Sequence, residues 1–159
     1  MHLVFFDTEF TDFQHADLIS VALVGGDGRE LYIAITDFKR HLVSDFVEEN
    51  VLPRLELPTA APTQATRAEA AQLVADFIQQ TPGSCLVSDA EVDCTLLRGL
   101  LKKVRIRHPK FALAQNLVEI DQAMRLMEDL EQTLDEHPGR HNALIDARAL
   151  RDAMARLSA

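Results

Sequence analysis

The chain is short of basic charge, of cysteine and of long apolar runs, and each shortage removes a class of function. Lys and Arg number 16 against 25 Asp and Glu in 159 residues, a formal net charge of −9 at pH 7. That balance argues against coating duplex DNA, where affinity comes largely from phosphate neutralisation. It leaves room for a short strand end, because bound metal ions reverse the potential of an acidic pocket. The only two cysteines, Cys85 and Cys94, fall in a predicted strand and a predicted helix with no further spacing pattern, which excludes a disulfide or zinc framework and leaves reduced, structural thiols. No segment approaches the roughly 18 apolar residues of a membrane span. No basic leader opens the chain, and Asp7 and Glu9 interrupt its first apolar stretch before a secretory core forms. The expectation is a cytoplasmic protein with no membrane partner, one domain over residues 1–159, large enough to bury roughly two-thirds of its unfolded surface. Internal repeats and low-complexity runs are absent.

What the chain has instead is acid in apolar places. In Leu3-Val4-Phe5-Phe6-Asp7-Thr8-Glu9-Phe10, side chains alternate with period two along a strand, so Asp7 and Glu9 share one face. Two carboxylates on a buried strand repel and are desolvated at a cost of several kcal/mol unless something cationic intervenes. A divalent metal is the simplest remedy. At helical spacing Asp93 shares its stripe with Leu96, Leu97, Leu100, Leu101 and Val104, and Asp146 shares one with Ala149, Leu150, Ala153, Met154 and Leu157, so each acid heads a face expected to pack inward. Helix capping and the helix dipole account for either acid alone about as well; the set with Asp7 and Glu9 is harder to explain that way. His141 follows Pro138-Gly139-Arg140 and is placed in a loop just before the last helix, where its ordinary pKa near 6.5 suits a general base. His15, His108 and His137 read as surface residues.

The ordered set Asp7-x-Glu9, then Ser88-Asp89-Ala90-Glu91-Val92-Asp93, then His141-Asn142-Ala143-Leu144-Ile145-Asp146 resembles the three motifs of the DEDD 3′-to-5′ exonucleases, in the subgroup with histidine in the third motif. The opening Asp7-Thr8-Glu9-Phe10 is most similar to short single-domain bacterial 3′-to-5′ exoribonucleases. The resemblance implies a ribonuclease H-like fold and release of 5′-mononucleotides from 3′ ends of single-stranded RNA or DNA. It also implies Asp7, Glu9, Asp93 and Asp146 as ligands of two divalent ions, magnesium or manganese, with His141 as general base and a homodimer as a common assembly. Thr8 and Phe10 are placed at the substrate, Phe10 by stacking or else as core. Two features depart from the pattern. Phe10, Thr11 and Asp12 replace the small residues that often follow the first Glu, and Asp89 stands where many relatives carry Asn, which leaves Asp89 a competitor of Asp93 for the third acid. Two other readings are weighed. One is a catalytically silent module that binds nucleic-acid ends or a protein partner; the other, a phosphatase with an aspartyl nucleophile, wants Asp-x-Asp, and Glu9 fills the second place.

The predicted architecture is α/β. Strands at 3–9, 18–24 and 30–35 form an antiparallel meander with a Gly25-Gly26-Asp27-Gly28 turn. A loop spans Pro53 to Pro62, with 53–68 as a candidate mobile flank of the site. Thr66-x-x-Glu69 opens a helix to about Gln80, and a strand at 85–88, the Asp93 helix, a strand within 111–120, a helix over about 122–136 and a last helix from near His141 to Leu157 complete the chain. The sum is a five-stranded mixed sheet with helices on its faces. Lys102, Lys103, Arg105, Arg107, His108 and Lys110 form one basic patch after the Asp93 helix, read either as a phosphate track or as a solvated helix end.

Overall fold

The computed structural model describes residues 2–107 and 109–157; His108 of the basic patch lies outside the described residues. β1 (Leu3–Phe10), β2 (Leu18–Gly25) and β3 (Glu30–Ile35) form the expected antiparallel meander. β4 (Thr63–Ala65) lies parallel to β3 at one edge, while β5 (Cys85–Ser88) and β6 (Lys110–Leu113) run parallel to β1 on the other side, in the order β4-β3-β2-β1-β5-β6. The sheet therefore has six strands, not five. The extra strand is three residues long, too short to show an alternation, and it is held by pairing Thr63, Gln64 and Ala65 with Ile33, Ala34 and Ile35.

Five helices complete the fold: α1 (Asp45–Asn50), α2 (Arg67–Gln79), α3 (Glu91–Leu101), α4 (Ile120–Glu136) and α5 (Ala143–Leu157). The capping box predicted at Thr66 and Glu69 opens α2. The segment expected as one loop before it is a 3-10 turn at Leu52–Arg54, a bridge between Leu57 and Ala60, and then β4. The sequence reading did not reach α1, although Ser44 caps it and Asp45 and Glu48 sit in its first turn, the usual marks of a helix start.

Alternation along β1 sorts its residues between two cores. Val4 and Phe6 pack with Val74, Phe77 and Ile78 of α2 and Leu97 and Leu101 of α3, whereas Phe5 packs with Leu126 and Leu130 of α4 and Leu150 and Met154 of α5. Asp7 and Glu9 continue the Phe5 row toward α5, and Thr8 continues the Phe6 row toward α3. β5 pairs with β1 only along Leu3, Val4 and Phe5. From Asp7 onward, β1 therefore outruns its parallel neighbour, and the chain leaving β5 at Ser88 turns into α3 beside that open flank. A crevice at the carboxyl ends of parallel strands results, the position where ligands of open α/β sheets bind. No described helix is long and apolar enough to cross a membrane.

Candidate metal centre

All five expected catalytic side chains meet in this crevice, together with Asp89. Ligand atoms of Asp7, Asp89 and Asp93 lie within 4.8 Å of one another, and so do those of Glu9, His141 and Asp146. The competition between Asp89 and Asp93 thus has no loser in the geometry. Their settings differ. Asp93, on the first turn of α3, is 2% exposed and accepts hydrogen bonds from the Thr8 hydroxyl (2.5 Å) and the Ser88 hydroxyl (2.7 Å). Asp89 sits in the β5–α3 turn, partly buried, its carbonyl accepting from Gln115 Nε2 at 3.5 Å. Thr8, expected at the substrate, lines the cavity over the acids, and its hydroxyl donates to Asp93 and orients that acid.

The other group is built by α5. The helix starts at Ala143 rather than near His141, and the fully buried Asn142 is its cap: Asn142 Oδ1 accepts from the backbone N–H groups of Leu144 (3.1 Å) and Ile145 (3.3 Å). Such a cap contributes about 1 kcal/mol. Asn142 Nδ2 donates to the carbonyl of Arg54 (2.6 Å) and to the Tyr32 hydroxyl (3.1 Å), which itself donates to the Leu55 carbonyl at 2.8 Å. β3, the segment after α1 and the start of α5 are thereby tied at one buried point. His141, just before the cap, has a left-handed backbone (φ 69°) and donates its N–H to Asp146 Oδ2 at 3.2 Å. A left-handed non-glycine residue is uncommon and costs of order 1 kcal/mol or more; here the adjoining cap and the Asp146 bond hold it. Arg140 anchors the same loop through ion pairs with Glu131 and Asp135 of α4.

Electrostatics set the crevice apart from an ordinary core. Burial first, then repulsion from Asp93, Asp146, Glu9 and Asp89, holds the Asp7 carboxyl well above the usual range, and burial with Asp146 and Asp93 does the same to Glu9. Burial pushes Asp146 up to about 7 and Asp93 to about 6, the latter against the lowering effect of its Thr8 and Ser88 bonds. Burial also raises Asp89. His141 moves the other way: burial and the nearby Arg140 and Arg54 hold it below its ordinary value, which keeps the imidazole neutral at neutral pH. Within the crevice the buried Asp146 Oδ1 has no hydrogen-bond partner among the described residues.

A cavity of about 450 Å³ opens over these groups, and its rim is aromatic. Phe10 meets Phe13 edge to face at 5.1 Å, and Phe46 of α1 meets the His141 imidazole edge to face at 5.2 Å. Phe13 is 84% exposed and Phe46 54%. Of these, sequence reasoning had found only Phe10. Phe13 reaches the rim from the connection between β1 and β2, and Phe46 from the first turn of the six-residue α1, which is too short to show a helical period.

Against curated proteins, 57 residues of the chain are 40% identical to 3′-5′ exoribonuclease Rv2179c and to 3′-5′ exoribonuclease MT2234.1, from two strains of Mycobacterium tuberculosis. The match takes in 35% of this chain and 34% of each relative, so it spans about a third of their length. No family model matches the chain. The chain thus shares a partial similarity with proteins named as 3′-5′ exoribonucleases, and its acids could hold a metal ion.

Proposed function

We propose that this chain is a single-domain, metal-dependent 3′-to-5′ exoribonuclease of the DEDD type with histidine in the third motif, built on a ribonuclease H-like sheet. The observation that carries the reading is the pair of acid groups, Asp7-Asp89-Asp93 and Glu9-His141-Asp146, each within 4.8 Å, in one crevice. Several buried carboxylates with raised pKa values and an orphaned Asp146 oxygen form a donor set that wants a hard cation, and oxygen-rich ligation suits magnesium or manganese. The preference for RNA rests on the names of the two partial relatives. The two buried free cysteines suit a cytoplasmic setting.

Asp7, Asp89 and Asp93 would hold one ion, and Glu9 and Asp146 a second. When bound, the ions supply Lewis-acid stabilisation of the phosphoryl oxygens and of the departing 3′-oxygen. Thr8 and Ser88 keep Asp93 aimed at the crevice. The neutral His141 accepts a proton on a ring nitrogen from the water that attacks the last phosphodiester, so no covalent enzyme intermediate is required. Phe10, Phe13 and Phe46 offer faces on which terminal bases stack, a contact that is tolerant of sequence.

Incubation with matched single-stranded RNA and DNA in manganese, followed by product identification, tests the reading. We expect 5′-mononucleotides, released faster from RNA. Strands that bind but stay intact under every metal would favour the silent binding module, and phosphate release from phosphomonoesters with an uncut chain would favour the phosphatase.

A further inference from the structure

Of the 16 basic residues, eight arginines form ion pairs: Arg29, Arg40, Arg67, Arg98, Arg140, Arg148, Arg151 and Arg156. Among the described residues, Lys102, Lys103, Arg105, Arg107 and Lys110 have no carboxylate within ion-pair distance, and no acid occurs between Asp93 and Glu119. In a chain with 25 acids, an acid-free stretch this long holding five unpaired cations is out of proportion. The attraction of cations to a helix C-terminus accounts for Lys102 and Lys103 at the end of α3. It does not account for Arg105, Arg107 and Lys110, which lie beyond the helix. Arg107 and Lys110 line a cavity of about 460 Å³ with Gln79, Thr81 and Ser84, and the buried Ser84 hydroxyl has no hydrogen-bond partner.

α3 runs from the acid crevice to the start of this basic stretch. Nine residues separate Asp93 from Lys102, about 14 Å at roughly 1.5 Å per residue. Arg98 stands between them, its guanidinium 4.6 Å over the Phe111 ring of edge strand β6, and Lys102 follows it at i+4 on the same exposed stripe. We propose that Lys102, Lys103, Arg105, Arg107 and Lys110 form an anion-binding exosite that holds the phosphodiester backbone of the single strand upstream of the 3′ end being cut. The rise from Asp93 to Lys102, the first of these cations, corresponds to about four stacked nucleotides at roughly 3.4 Å each. An enzyme whose catalytic end repels phosphate thereby gains affinity from a remote cationic surface. The inference rests on the nuclease reading for its direction along the strand.

The test compares the wild type with the Lys102→Gln/Lys103→Gln/Arg105→Gln/Arg107→Gln variant on single-stranded RNAs from a dinucleotide to a hexadecamer, with Arg125→Gln, an exposed unpaired cation on α4, as control. In the wild type KM should fall more than tenfold once the strand exceeds about five nucleotides, the reach set by the helix rise and the strand spacing. In the variant that length dependence should vanish, the slope of log KM against log salt should drop by about 3, and kcat on the dinucleotide should stay within twofold. Binding of the hexadecamer in chelator, read by fluorescence anisotropy, should weaken more than tenfold in the variant and remain unchanged in Arg125→Gln. Retained length dependence with unchanged anisotropy overturns the exosite while leaving the nuclease intact. Absence of hydrolysis in the wild type overturns the nuclease reading instead, and the anisotropy still decides whether the surface binds a strand.

Discussion

Asp7→Asn abolishes hydrolysis and raises the melting temperature of the metal-free protein. Asp7 faces both acid groups, repelled by Asp93, Asp146, Glu9 and Asp89, so its charge is a liability to folding and an asset only when a cation is present. Removing a carboxylate that would hold a catalytic ion should cost about 4–5 kcal/mol of transition-state stabilisation, roughly 10³- to 10⁴-fold in kcat. Neutral Asn keeps the shape and removes the repulsion. At an effective dielectric of about 20, one pair of charges 4 Å apart repels by about 4 kcal/mol, and partial protonation of the group reduces the gain to about 2 kcal/mol. For a chain of this size that is about 4–8 °C in Tm. Calorimetry in chelator beside a turnover assay reads both. A variant that loses activity and stability together would mean that Asp7 is a structural residue.

The metal-free wild type should be more stable at about pH 5 than at about pH 8, and divalent ions should narrow the difference. The unfolded chain titrates its carboxyls near 4, whereas folding raises Asp93 to about 6, Asp146 to about 7, and Asp7 and Glu9 well above their usual range. Between those values the folded state binds more protons than the unfolded one, so stability falls as pH rises from about 4 through at least about 7. For Asp93, 2% exposed, the displacement corresponds to about 3 kcal/mol, or about 6–12 °C in Tm. His141 lies below its ordinary value and pulls the other way through about pH 6.5, which blunts the fall. At about pH 8 an ion at 100 times its Kd restores about 2.7 kcal/mol; at about pH 5 it must compete with protons and restores little. Tm scans across pH with chelator and with manganese measure this, and a chelated protein most stable near pH 8 would contradict the origin assigned to these shifts.

How far the sequence went depends on whether a feature is periodic. Asp7 and Glu9 were legible because a strand alternates, and the inward placement of Asp93 and Asp146 was legible because each sits on an apolar helical stripe. The meander, the Thr66 cap and the breaks at Pro82-Gly83 and Pro138-Gly139 were legible from turn and cap chemistry. β4 was not, since three residues carry no period and its pairing with β3 is a tertiary fact. Phe13 was hidden in a connection with no period, and Phe46 on a helix of only six residues. Asp89 and Asp93 could not be ranked from spacing, because the turn after β5 and the first turn of α3 deliver both to Asp7. Thr8 was expected at the substrate; it lines the cavity, and the bond from its hydroxyl to Asp93 is a tertiary contact that spacing does not reveal.

The central claim is that these acids hold ions that cut a strand from its 3′ end. A time course on 5′-labelled single-stranded RNA, with manganese or with chelator, tests it most directly. The account predicts a ladder that shortens one nucleotide at a time from the 3′ end and disappears in chelator. Cleavage that persists in chelator, internal fragments without a ladder, or a strand left whole under every metal would contradict it.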